Sequence, residues 1–178
     1  MFKSNSLTIM TSKNIVLIGA AIWLFATGCA TKPVALSPVG PEPTGHMAAD
    51  SKGYLEVFSA TQKSPAIASD DNTTFNLHSG YVIEDTSGQI SQYVPNHASN
   101  MDEWPDRVAL PPGTYQILVD SAGCGQVSLS AVIEPGKITV VHLDRNWSPP
   151  FNTSSNQLVY LPDGEAVGWN VSSSQSND

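Results

Sequence analysis

The chain has little of several things that would narrow its role quickly. It holds two cysteines, Cys29 and Cys124, among 178 residues, too few for a disulfide framework of the kind that staples small secreted domains. Its longest uncharged apolar run, Ile15 to Thr27, has 13 residues, well short of the roughly 20 that a membrane-spanning helix needs. Lys and Arg together number 8 against 16 Asp and Glu, so the basic footprint required for nucleic acid is missing. No Gly-x-Ser-x-Gly elbow, phosphate loop, dinucleotide fingerprint or zinc-hydrolase helix occurs, and each of those would have carried a specific chemistry. Beyond Thr27 no stretch shows an apolar stripe at helical spacing, which argues against a helical domain.

What is present begins with a leader. Met1 to Asn14 carries Lys3 and Lys13 with no acidic residue, and the apolar run follows directly. A basic segment ahead of a short apolar one is the order of a secretory signal. Met10 is an alternative start, because Lys13 alone would still supply the basic segment. The run closes in Phe25-Ala26-Thr27-Gly28-Cys29, which resembles the lipobox of bacterial lipoproteins, with Ala26 where Leu is more usual. That resemblance implies a signal peptide over 1–28, diacylglycerol on the Cys29 thiol and either a third acyl chain, such as palmitate, on its amine or a free amine. Two or more chains hold a protein stably at a membrane, where one does so only marginally. Ala30 after the cysteine implies the outer membrane as destination in a Gram-negative cell.

The mature chain would keep six basic and sixteen acidic residues, a net charge of −10. With Cys29 acylated, Cys124 has no partner for an intramolecular disulfide. Residues 29–52 include Pro33, Pro38, Pro41 and Pro43 among small residues, which predicts a lipidated N-terminus and tether. Some 20 extended residues at about 3.1 Å each would hold a domain up to about 60 Å from lipid. Residues 53–171 form the expected domain, and 172–178 a polar tail expected to be disordered.

Within 53–171 the pattern is of short β-branched and aromatic runs parted by turn residues, which predicts an all-β, roughly seven-stranded antiparallel sandwich. Strands are expected at 54–61, 75–84, 89–94, 107–110, 114–120, 126–134 and 137–144, with two weaker ones at 157–161 and 166–171. Tyr115, Ile117 and Val119 alternate, as do Val127, Leu129, Ala131 and Ile133, predicting a hairpin across Ser121 to Gly125 with one apolar face. Ile138 to Leu143 is apolar on both faces and reads as a central strand. Glu134-Pro-Gly-Lys137 and Pro162-Asp163-Gly164 read as tight turns.

The runs Leu110-Pro-Pro-Gly-Thr-Tyr-Gln-Ile117 and Val132-Ile-Glu-Pro-Gly-Lys-Ile-Thr-Val-Val-His-Leu143 resemble carboxypeptidase-regulatory-like, or prealbumin-like, domains over about Arg107 to Asp144. The resemblance implies a seven-stranded sandwich serving as an accessory or spacer module, with no catalytic residues to carry over. The chain departs from that pattern at 64–72 and at 95–106. Loops on a rigid scaffold carry binding.

Each candidate for chemistry has a plain structural reading beside it. Cys124 between Gly123 and Gly125 is a nucleophile or a turn residue, and no local Cys-His signature accompanies it. His46, His78, His97 and His142 lack metal-ligand spacing, and His142 reads as a hydrogen-bonded structural histidine. Asp70-Asp71-Asn72 and Asp102-Glu103 lack the alternation of a calcium loop. Trp104, Tyr93 and Trp147 are the ligand-binding candidates, with Trp169 a further aromatic, because exposed rings stack on sugar faces and anchor interfaces. The leading expectation is a lipid-anchored, non-enzymatic envelope module without metal or cofactor, whose partners are the membrane and an envelope protein or glycan. The alternatives are a glycan or peptidoglycan binder using loop aromatics, and an enzyme acting through Cys124.

Overall fold

The computed structural model describes residues 32–43, 51–65 and 73–171, all within the compact unit Lys32–Asp178. The expected signal peptide, Cys29, His46, Asp70 to Asn72 and the polar tail lie outside the described residues.

Two very short strands come first, β1 (Val34–Ala35) and β2 (Val39–Gly40). Then follow β3 (Gly53–Phe58), β4 (Thr61–Pro65), β5 (Thr74–His78), β6 (Tyr81–Glu84), β7 (Ile90–Val94) and β8 (Arg107–Leu110). The long hairpin is β9 (Gly113–Ser121) and β10 (Gly125–Ile133), and the chain finishes with β11 (Ile138–His142), β12 (Leu158–Tyr160) and β13 (Ala166–Asn170). A 3-10 turn, Ser155–Gln157, precedes β12. The fold is all-β and sandwich-like, as the turn spacing predicts.

The larger sheet runs β12-β13-β2-β10-β9-β6-β7, with β1 also on β10; the smaller runs β11-β3-β8, and β4 pairs with β5 in a separate ribbon. The expected β9–β10 hairpin is present, with Val119 opposite Val127 and Ile117 opposite Leu129. One face of each strand is therefore apolar, apart from the buried Ser121 at the end of β9. Ile117, Val127, Leu129 and Ala131 are fully buried and meet Leu55, Val57 and Val141 of the smaller sheet in one core. Burying a Val, Leu or Ile side chain stabilises by roughly 1.5–3 kcal/mol, so this shared layer is what holds the two sheets together.

Three differences from the sequence pattern matter. First, part of the expected tether is built into the sheet. Val34 pairs with Val127, Val39 lies between Ala131 and Asn170, and Val39 is fully buried. Two-residue strands carry no periodicity to read, and the flanking prolines occupy strand ends, where their missing N–H does no harm. Second, three pairings are parallel: β1 and β2 on β10, and β3 on β11. Third, β11 stands at the end of its ladder, although Thr139, Val140 and Val141 are buried. Its outer edge is covered, since the Glu42 amide bonds the Ile138 carbonyl at 3.1 Å. Burial on both faces reads as a central strand whether or not a ladder completes it.

Two runs expected as single strands are interrupted, the expected 54–61 near its end and the expected 75–84 in its middle. The first parts at Ser59-Ala60 between β3 and β4, the second at Ser79-Gly80 between β5 and β6. At these breaks the chain leaves the sandwich to form the β4–β5 ribbon and then returns to it. The two corners are bonded to each other: the Ser79 amide donates to the Ala60 carbonyl at 2.9 Å and the Ser59 hydroxyl to the Ser79 carbonyl at 2.7 Å. At Gly80 a Cβ would meet the Tyr93 hydroxyl, so a larger residue there would push the exposed Tyr93 ring aside.

Candidate functional site

Asn96 organises the region above these corners. It is fully buried with φ of 69°, a left-handed conformation that Asn tolerates better than most residues. Its Nδ2 donates to the Val57 carbonyl at 2.8 Å, the Ser59 hydroxyl at 2.9 Å and the Ser79 carbonyl at 3.3 Å, while its Oδ1 accepts from the Asp106 amide at 3.2 Å. One side chain thus ties both corners to the far end of the 95–106 loop. The same loop is fixed at a second point, where Glu103 Oε1 accepts the Asn76 amide of β5 at 2.7 Å. Trp104 is aimed by an Asx turn, its amide donating to Asp102 Oδ1 at 3.1 Å.

Between this loop, the ribbon and the segment after β11 lies a groove of about 310 Å3. Phe58 and His78 form its floor; Glu103 and Trp104 line it from the loop, Asp144 and Asn146 from the segment after β11. Trp104 is 73% exposed, and an exposed ring on a groove wall offers a flat apolar face for stacking. Behind Phe58 runs a column of rings. Phe58 meets His78 edge-on at 5.5 Å and stacks on His142 at 4.9 Å, and His142 stacks on Trp147 at 4.5 Å with the planes 6° apart.

The three ligand-binding candidates therefore take different places. Trp104 is a wall of the groove. Trp147 is half-buried and supports Phe58 through His142 without lining the groove. Tyr93 is exposed on β7, the edge strand of the larger sheet, and is not among the groove's walls. Trp169, also half-buried, sits on β13 opposite Leu158 and Gly40. Phe58, Asn76, Asp144 and Asn146 had no signal in the sequence, since they come from three segments far apart in the chain.

The histidines have structural surroundings. His78 is nine-tenths buried, with Nδ1 2.9 Å from the Ser59 carbonyl; a carbonyl only accepts, so that nitrogen carries a proton. His97 Nδ1 lies 3.3 Å from the His78 carbonyl. The partners of His142 are rings instead of the hydrogen-bonding groups expected for it. Burial pushes its imidazole down to about 4, against the opposing pull of Asp144.

Cys124 is half-exposed in the β9–β10 turn, its thiol 3.5 Å from Asp163 Oδ2. Desolvation pushes the thiol up, the hydrogen bond and charge of Asp163 push the same way, and Arg145 opposes them. A nucleophilic cysteine needs the reverse, a surrounding that favours thiolate. A second groove of about 300 Å3, between Glu84, Thr86, Gln116 and Ser130, has no aromatic wall. Gln116 there is already bonded to Ser128 and Ser130.

No protein-family model, curated protein or solved structure matches this chain.

Proposed function

We propose that this chain is an exported lipoprotein, attached to the cell envelope through acyl groups on Cys29, whose β-sandwich binds a glycan beside Trp104 without acting on it chemically. The observation that carries the binding half is the groove itself, where an indole at 73% exposure stands with the Phe58 ring among amide and carboxylate side chains. A sugar offers an apolar face of C–H groups and a rim of hydroxyls, and a few placed polar groups around an aromatic surface meet both. The loop that bears Trp104 is held at Asn96 and at Glu103, so little conformational freedom is lost on binding.

The anchoring half rests on the lipobox-like Phe25-Ala26-Thr27-Gly28-Cys29. With Val34 already paired to β10, only Ala30 to Pro33 separate Cys29 from the sheet, a contour of about 18 Å at full extension. The spacer is far shorter than a free 20-residue tether. An accessory role also suits the prealbumin-like motif, in which Leu110-Pro-Pro-Gly-Thr-Tyr115 is closed by the Tyr115 hydroxyl donating to the Pro111 carbonyl at 3.0 Å.

Two measurements test the halves separately. Cys29→Ala should move the protein out of the membrane fraction; full retention would remove the anchor. On isolated cell-wall polymer, wild type should be retained and Trp104→Ala released, and equal retention of both would remove the site.

A further inference from the structure

We infer that the glycan held beside Trp104 carries a free amine, so that the ligand is an amino sugar bound as its ammonium form; this rests on the glycan reading above. The walls of the groove accept hydrogen bonds and carry negative charge. Glu103 faces it from the loop and Asp144 from the segment after β11, and no Lys or Arg is among its walls. Each carboxylate is held by the protein yet keeps acceptor capacity: Asn76 N bonds Glu103 Oε1 at 2.7 Å, and Asn146 Nδ2 bonds Asp144 Oδ2 at 2.9 Å. An ionised carboxylate offers about four lone-pair sites. His78, 5% exposed, spends Nδ1 on the Ser59 carbonyl, and its Nε2 has no partner among the described residues.

The cation nearest in sequence is drawn away. Arg145 lies between Asp144 and Asn146, but its backbone is left-handed at φ 65°, a strained conformation for a residue of its size. Its guanidinium packs over Gly123 and pairs with Asp163 and, at 3.8 Å, with Glu165. Two carboxylates are left facing the groove, and among the described residues neither has a counter-charge within ion-pair distance. A ligand ammonium supplies that charge, and the Trp104 face adds cation–π attraction. An acidic glycan would meet like charge on both sides.

The test is calorimetric titration of the full chain in detergent at about pH 6, where the amine is charged, and about 50 mM salt, where screening is weak. The probes are a glucosamine tetrasaccharide, its fully N-acetylated counterpart and a uronic acid oligomer. The glucosamine oligomer should bind at least tenfold more tightly than the N-acetylated one, and the uronate should not bind. Glu103→Gln and Asp144→Asn should each weaken the glucosamine oligomer about fivefold, the order of an exposed ion pair, and leave the N-acetylated arm unmoved. Asp120→Asn, an exposed carboxylate elsewhere, should change nothing. Trp104→Ala should weaken both sugars. Equal or tighter binding of the N-acetylated oligomer, still dependent on Trp104, would overturn the amine and leave the glycan reading standing. Binding of the amine that ignores Trp104→Ala would reduce it to attraction by an acidic surface and overturn the inference. No binding of any sugar would overturn both.

Discussion

Replacing Asn96 with alanine should destabilise the protein by about 4 kcal/mol. The side chain makes four hydrogen bonds in a fully buried position, to Val57, Ser59, Ser79 and Asp106. The 3.3 Å contact shares an amide hydrogen with a shorter one, so three are counted, each contributing about 1 kcal/mol net. Alanine must also adopt the left-handed φ of 69°, which costs about another 1 kcal/mol. Glycine at this position loses the bonds but keeps the backbone at ease, so Asn96→Gly should lose about 3 kcal/mol. Urea unfolding followed by circular dichroism measures both variants; on heating, the alanine variant should melt about 12 °C lower, at about 3 °C per kcal/mol for a domain of this size. Both variants also free the far end of the loop that carries Trp104, so glycan retention should fall with stability. A loss below about 1 kcal/mol in the alanine variant would refute the role given to Asn96, because the mean net worth of a single bond already exceeds that.

Three other perturbations probe the same framework. As pH falls from 6.5 towards 4 the unfolded chain binds a proton that His142 refuses in the fold. Stability is therefore lost through that window and levels off below it; with the ring only half-buried the loss should be about 2 kcal/mol. His142→Phe should lessen the difference in urea midpoint between pH 7 and pH 4.5, and an unchanged difference would assign it to other groups. The Tyr81 hydroxyl is buried with no hydrogen-bond partner among the described residues, so Tyr81→Phe should leave stability unchanged or raise it by about 1 kcal/mol; a loss beyond that in thermal unfolding would reveal a partner. A Cβ at Gly168 would press on the Val39 side chain and the Val140 carbonyl, so Gly168→Ala should cost about 2 kcal/mol in urea unfolding by overpacking, and wild-type stability would show that β2 is loosely held.

Local pattern carried the fold wherever the partner strand is a near neighbour. Alternation in 115–119 and 127–133 gave the β9–β10 hairpin to within a residue at each strand end, because a one-residue slip would turn Ile117 and Leu129 to solvent. Pro162-Asp163-Gly164 closes β12 on β13, with the Gly164 amide bonded to the Leu161 carbonyl at 2.9 Å. Where long-range pairing decides, the pattern is silent. Val34-Ala35 and Val39-Gly40 are too short to show a period, and the prolines beside them look the same in a tether and at strand ends. The corners at Ser59-Ala60 and Ser79-Gly80 interrupt runs of good strand formers, and what bends them is Asn96, some 17 to 39 positions away in bonding. The groove follows the same rule. Trp104 stood out as an aromatic in a long loop, whereas Phe58, Asn76 and Asp144 became its neighbours only through packing of the ribbon and the end of β11.

The central claim is that the Trp104 groove is where this protein meets a glycan, and chemical-shift mapping with a soluble cell-wall oligosaccharide tests it most directly. The account predicts saturable shifts of the Trp104 indole N–H and of the Asn76, Glu103 and Asn146 amides, with the Cys124 turn and Trp169 unmoved. Saturable shifts confined to another surface, or none at all, would contradict it.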